Sequence, residues 1–306
     1  MALPKHASPL ERVWHYAYLV ICALIFLFLI APILVIIPLS FNAEPYFTFT
    51  DKMLSLDAEG FSTRWYDLLL TFGMLEPEAP RDSSWWADAW ANAQWIQATK
   101  NSIIIGFFST ILATTLGTIA ALGLSRPEMP GRRAVMAILI SPMIVPIIIT
   151  ATGLFFFYSS IGIQDWGIPY LGIILAHATL GIPFVIITVT ATLVGFDHSL
   201  TRAAANMGAD PVTTFFKVQM PLILPGVISG ALFAFVTSFD EVVVVLFVGG
   251  LDEQTIPRQM WNGIREQISP AILSVATILV VISIALLTVV ELLRRRSEKL
   301  RGMSPG

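Results

Sequence analysis

Two carboxylates, Asp240 and Glu241, stand side by side inside Ile223–Val248, a run with no other charged residue. A carboxylate at the centre of a membrane helix costs roughly 2.5–3.5 kcal/mol on insertion scales, so a pair in succession needs a polar environment or a partner. Such a pair attracts a cation or relays a proton. On an unbroken helix Asp240 lies about 25 Å beyond Ile223 along the axis. At about 100° per residue, Glu241 shares a stripe with Gly230 and Thr237 while Asp240 points away. That geometry makes one carboxylate structural and gives the other, Asp240, to a solute path with Thr237, Phe239 and Glu241 beside it. The competing reading has both satisfied by interhelical hydrogen bonds or a buried arginine. His177, the one histidine within an apolar run, reads as an interhelical hydrogen bonder, with a relay through Asp240 and Glu241 as its alternative.

A second group lies in the polar stretch Gly195–Pro221. An alanine-rich helix through Ala203 and Ala204 ends at Gly208, the residue suited to a left-handed C-terminal position. Asp210 followed by Pro211 forms an N-cap and first-turn pair that opens another helix. That second helix presents Phe215, Val218 and Leu222, and Pro221 and Pro225 mark the turn into the next apolar run.

The elements that hold these groups are membrane helices. The 306 residues are 56% hydrophobic and only 13% charged, against about 25% charged in a soluble chain, and mean hydropathy is +0.76. A water-soluble globule is excluded. Six runs reach the roughly 20 residues a bilayer requires: 17–39, 102–124, 134–157, 171–194, 223–248 and 271–290. The first is too long for a secretory signal. Of the 18 basic residues, 12 fall in the N-terminal segment 1–16, the 125–133 and 195–221 loops and the C-terminal end with its tail 295–306. Among them are Lys5, Arg126, Arg202, Lys217 and Arg301. This asymmetry predicts cytoplasmic termini and a cytoplasmic 195–221 loop.

The opposite side carries the loop 42–101, with nine acidic residues and five of the eight tryptophans. Trp86 and Trp90 share one helical face after an N-cap at Ser83 or Ser84. They read as an interfacial helix or as a docking surface for an external protein. Stripes of small residues (Ala113, Gly117, Ala121; Gly226, Gly230, Ala234, Ser238) predict close helix packing. Pro32, Pro38, Pro142, Pro146 and Pro183 predict kinks. A net charge of −3 offers no nucleic-acid surface. The single cysteine, Cys22, excludes an intrachain disulfide or a multi-thiolate metal site. No nucleotide-binding P-loop, zinc-protease motif or nucleophile elbow occurs.

The order Ala203-Ala204-x-x-x-Gly208, followed by Pro221-Leu-Ile-Leu-Pro225, resembles the EAA loop of permease subunits of binding-protein-dependent ABC importers, with Arg202 in the place of the motif's glutamate. Ser238–Val242, Thr255–Pro270 and Phe61–Tyr66 are similar to the spermidine/putrescine branch of that family, beside which Leu75–Ala93 looks like an extension. The resemblance implies an all-α membrane protein, a six-helix type I ABC importer permease bundle in the bacterial inner membrane. It further implies a second permease subunit, two ATPase subunits that bind ATP and Mg, and an external substrate-binding protein. The chain itself would bind no cofactor or metal and would not be an enzyme.

In that frame Arg202, Ala203, Ala204, Gly208 and Asp210 couple to the ATPase. Thr237, Phe239, Asp240 and Glu241 line the path of a polyamine or related nitrogenous cation, and Trp261 and Asn262 form an external gate or docking contact. The rival is a stand-alone ion-coupled transporter using Asp240, Glu241 and His177. It predicts internal repeats, and none is evident between residues 1–150 and 151–306.

Overall fold

The computed structural model describes residues 8–126, 128–197, 199–266 and 269–300. Lys5 and Arg301, counted above as topological charges, lie outside them. The described residues form helices α1 (Pro9–Leu39), α2 (Asp51–Leu54), α3 (Arg64–Thr71), α4 (Ser83–Asn92), α5 (Gln94–Leu124), α6 (Arg132–Ile144) and α7 (Ile147–Ile161). There follow α8 (Leu171–Val194), α9 (Ser199–Asn206), α10 (Pro211–Thr214), α11 (Met220–Phe239), α12 (Val243–Val248), α13 (Ile256–Glu266) and α14 (Ala271–Leu300). No sheet occurs among them; Asn42 and Phe61 make an isolated antiparallel bridge.

Contacts divide the chain into two units, Ala79–Asn262 and Met1–Glu78 with Gly263–Gly306. In the latter, α1 and α3 pack on α14. α1 opens with a capping box, in which Ser8 Oγ accepts from the Glu11 amide at 3.3 Å and the Glu11 carboxylate accepts from the Ser8 amide at 2.7 Å. Most of its large apolar side chains are exposed, as a lipid-facing helix requires. Fully buried Asn42 organises the segment after α1: its Nδ2 donates to the Tyr46 and Thr48 carbonyls, and its own carbonyl accepts from Trp65 Nε1 at 2.7 Å.

In Ala79–Asn262, helices α5, α8 and α11 pack on one another along the small-residue stripes. A β-carbon on Gly230 would lie 2.5 Å from Thr188 Oγ1 and 2.8 Å from Val185 Cα, and one on Gly117 would lie 2.7 Å from Val185 Cβ. Ala113, Ala121, Ala234 and Ser238 are buried in the same seams. The stripes therefore serve packing within the chain, where dispersion contacts substitute for the hydrophobic effect that lipid does not provide.

Two expected spans are broken. The run 134–157 is divided into α6 and α7, bent by 102°. Pro146 has no amide to donate and drives Val145 out of the helical region, to φ −69° and ψ 136°. The run 223–248 stops at Phe239 and resumes as α12 at Val243. Conversely, the turn expected at Pro221 and Pro225 is absent, because Pro211–Phe239 runs through as 29 helical residues. Its stretch Phe215–Gln219 widens to a π-helix, in which the Met220 amide donates to the Phe215 carbonyl. The wider turn relieves the clash that the Pro221 ring would make with the carbonyl four residues earlier.

Among the described residues, four helices are long and apolar enough to cross a membrane, or five if α6 and α7 count as one span; in α14 the apolar described stretch is Ala271–Ala285.

Candidate functional site

The first candidate group surrounds the interruption between α11 and α12. A continuous helix was expected through Asp240 and Glu241; instead Asp240 is the C-cap of α11, its amide donating to the Val236 carbonyl at 3.0 Å. Its side chain is exposed. Thr237 and Phe239 are half-buried, and the Phe239 ring stacks on Phe235 at 5.6 Å. Glu241 is buried, and its Oε1 accepts from the Val244 amide at 2.9 Å. That carboxylate thus meets an amide at the start of α12 that has no partner within the helix.

The other end of α12 is met by a cation. Arg258, on α13, donates through Nη1 to the carbonyls of Val245, Gly249 and Gly250 at 3.3, 3.1 and 2.8 Å. A six-residue helix cannot satisfy its own termini, and here an acid at its N-terminus and a base at its C-terminus do so while matching its dipole. Gly249 is required by this close approach: a β-carbon would lie 2.7 Å from the Val245 carbonyl and 3.0 Å from Arg258 Nη1.

The loop that follows is fastened to the bundle. Glu253 accepts from the Tyr170 amide through Oε1 and from the Gly250 amide through Oε2, both at 2.9 Å. Asn101 Nδ2 donates to the carbonyls of Asp252 and Gln254, and its Oδ1 accepts from the Tyr170 hydroxyl at 2.8 Å. Asn262 donates to Gln254 Oε1 at 3.1 Å, and Trp261 is 44% exposed. Arg258, Glu253, Asn101 and Tyr170 were not singled out from sequence. The available signal was Gly249-Gly250 followed by charged residues directly after an apolar run.

The proton-relay alternative is not assembled. His177 Nδ1 pairs with Ser238 Oγ at 2.8 Å, Glu241 binds a backbone amide, and Asp240 has no side-chain hydrogen bond among the described residues.

The second candidate group is the 195–221 loop. α9 ends in a pair of reverse bonds: the Gly208 amide donates to the Ala205 carbonyl at 2.9 Å, and the Ala209 amide to the Ala204 carbonyl at 3.0 Å. This is a Schellman arrangement, and Gly208 takes the left-handed φ of +85° it demands. Asp210 Oδ1 accepts from the Thr213 amide at 3.2 Å to start α10. The Thr213 hydroxyl and then its amide hold the Asp210 carboxyl below the usual range. α9 packs against α10 and the π turn. Arg202, Ala203, Gly208 and Asp210 are exposed, and Ala204 is half-buried. Around them Leu200, Met207, Val212 and Phe216 are exposed, with Met207 at 87%. This is an apolar surface on a polar loop, of the kind that protein partners cover.

Residues 113–300 match the family described as binding-protein-dependent transport system inner membrane components. Over 274 residues the chain is 31% identical to the spermidine/putrescine transport system permease protein PotC of Haemophilus influenzae, covering 90% of this chain and 95% of that one. It is also 31% identical over 266 residues to the putrescine transport system permease protein PotI of Escherichia coli, covering 85% and 84%. Among solved structures, it shares a fold with a chain from the crystal structure of a bacterial ABC transporter involved in the import of the acidic polysaccharide alginate. The TM-score there is 0.68 and the identity 16%, over 94% of this chain and 99% of that one. A helical framework without sheet among the described residues, a match over more than half the chain and relatives of nearly equal length agree, and the chain belongs to the family of binding-protein-dependent transport system inner membrane components.

Proposed function

We propose that the chain is the permease subunit of an ATP-driven importer of polyamine cations, working with a second permease, two ATPase subunits that hold ATP and Mg, and an external binding protein. Both termini and the 195–221 loop face the cytoplasm. The observation that carries the choice of cargo is the interruption at Asp240. It leaves an exposed carboxylate at the C-terminal end of α11, where the helix dipole is also negative. An extended ammonium chain is attracted to such a point, and Phe239 adds an aromatic surface to it. The names of the 30–31% identical relatives point to the same class of cargo.

In this reading Glu241 is the structural carboxylate of the two, holding the start of α12, and Trp261 and Asn262 stand at the external entrance. α9, with Arg202, Ala203, Ala204 and Gly208, and Asp210 after it, enters a cleft of the ATPase. The exposed side chains of Leu200, Met207, Val212 and Phe216 supply its apolar contact. Because Pro211–Phe239 is one helix, a push on the loop is delivered directly to the residue before Asp240.

The test is uptake of radiolabelled spermidine into vesicles that hold the assembled complex. Uptake requires ATP on the ATPase side and the external binding protein, and persists when the proton gradient is collapsed. Uptake driven by a proton gradient without ATP would refute the reading.

A further inference from the structure

The tryptophan-bearing helix α4 has no part in the function proposed above. Its buried side is Trp85, at 2% exposure, with Ala89, followed by Ala93. Its exposed side is Ser83, Ser84, Trp86, Ala87, Trp90 and Ala91, with the two indoles 52% and 62% exposed. That exposed side carries no charge, although the loop around it is rich in acids.

The level of this face is set by α5. Lys100, on the second turn of α5, folds back so that its Nζ lies 4.7 Å from the centre of the Trp90 ring and donates to the Trp90 carbonyl at 3.0 Å. Gln97 Nε2 donates to the same carbonyl at 2.8 Å. Immediately after Lys100 the chain is free of charge from Asn101 to Ser125. The Trp90 ring is therefore held beside the last cation before the hydrocarbon-spanning part of α5. Indoles and snorkelling lysines occupy that level in bilayers, where a ring meets the acyl boundary and an ammonium meets lipid phosphate.

We propose that the exposed face of α4 is a phospholipid headgroup contact, with Trp86 and Trp90 seated at the acyl boundary and Lys100 on a lipid phosphate, fixing the depth of α5. The occupant is lipid, because an uncharged aromatic face with Lys100 beside it at the mouth of a span complements a phosphate layer over hydrocarbon. The proposal does not depend on the identity of the transported solute.

The test uses the assembled transporter in bilayers of phosphatidylethanolamine and phosphatidylglycerol, either plain or brominated at shallow or deep acyl positions. The emission of the two indoles is isolated as the difference between the native complex and the Trp86→Phe/Trp90→Phe variant, whose retained ATPase activity reports assembly. Trp86→Tyr/Trp90→Tyr gives an independent difference. Shallow bromine is expected to quench this emission by about half or more, and deep bromine by less, with little effect of aqueous iodide. Equal emission in plain and brominated lipid, or stronger quenching by deep bromine, would overturn the proposal. Iodide quenching relieved only by added binding protein would make the face a protein-docking surface instead. Lys100→Gln is expected to weaken shallow quenching, and unchanged quenching would remove the phosphate contact.

Discussion

His177 Nδ1 lies 2.8 Å from Ser238 Oγ, both fully inside the bundle, and ties α8 to α11 two residues before Asp240. The contact places a buried polar pair in the seam between α8 and α11, where the next residues leave the helix. It makes His177 a brace for the interruption. Ser238→Ala leaves the buried His177 Nδ1 unpaired and is expected to cost about 1–3 kcal/mol in stability. Thermal unfolding of the purified complex measures this, and the maximal rate of ATP-driven uptake should change little. A loss of uptake without a loss of stability would return His177 to the transport chemistry.

The two neighbouring carboxylates should separate on substitution. Glu241→Ala removes the cap of α12 and is expected to destabilise the complex by about 0.5–2 kcal/mol. Glu241→Gln, which keeps an acceptor oxygen, should cost less. Asp240→Asn should leave stability unchanged, lower spermidine uptake and spare basal ATPase activity. Melting curves and uptake assays on the three variants distinguish these outcomes.

Gly208 is irreplaceable for its φ of +85°, not for space, since nothing lies within 4 Å of a β-carbon built there. Gly208→Val is expected to strain α9's end by roughly 1–2 kcal/mol or unwind it. The variant should still insert and assemble but lose ATP-driven uptake. ATPase activity without transport would be the signature.

Gly230 and Gly123 provide a matched pair. Gly230→Ala drives a methyl into Thr188 and Val185 and is expected to cost about 1–3 kcal/mol, whereas Gly123→Ala meets nothing within 4 Å. The latter should be neutral or stabilise by about 0.4–1 kcal/mol. Thermal stability of the two variants checks the seam.

Asp210 carries a pH prediction. Its folded carboxyl is held below the usual range by the Thr213 hydroxyl and amide. The cap is therefore fully present above the unfolded value and is lost as pH falls through the lower, folded one. Protection of the Thr213 amide, its exchange rate relative to the intrinsic rate at each pH, should hold from neutral pH down to about 4. Asp210→Asn should remove the acid dependence.

Much of this fold is legible without coordinates. The ends of α8 coincide with the hydropathy run 171–194, and the Gly208 turn and Asp210 cap follow from local backbone chemistry. The Ala113 and Gly226 stripes also mark the seams they form. In the loop 42–101 the N-cap of α4 is Asp82, one residue before the expected serines, because its carboxylate accepts from both the Ser84 and Trp85 amides.

What sequence by itself determined, then, is which segments leave water and where short-range bonding turns the chain, because transfer energy and capping depend on neighbours along it. Only the tertiary structure decided where a span can break. Hydropathy sees one apolar run from Ile223 to Val248 and cannot see that Arg258, ten residues beyond it, returns to the Val245 and Gly249 carbonyls while Glu241 meets the Val244 amide. A helix interrupted in hydrocarbon strands its backbone groups at a cost of several kcal/mol each, and the short helix after the gap is held because Glu241 meets an amide at its start and Arg258, from α13, meets the carbonyls at its end.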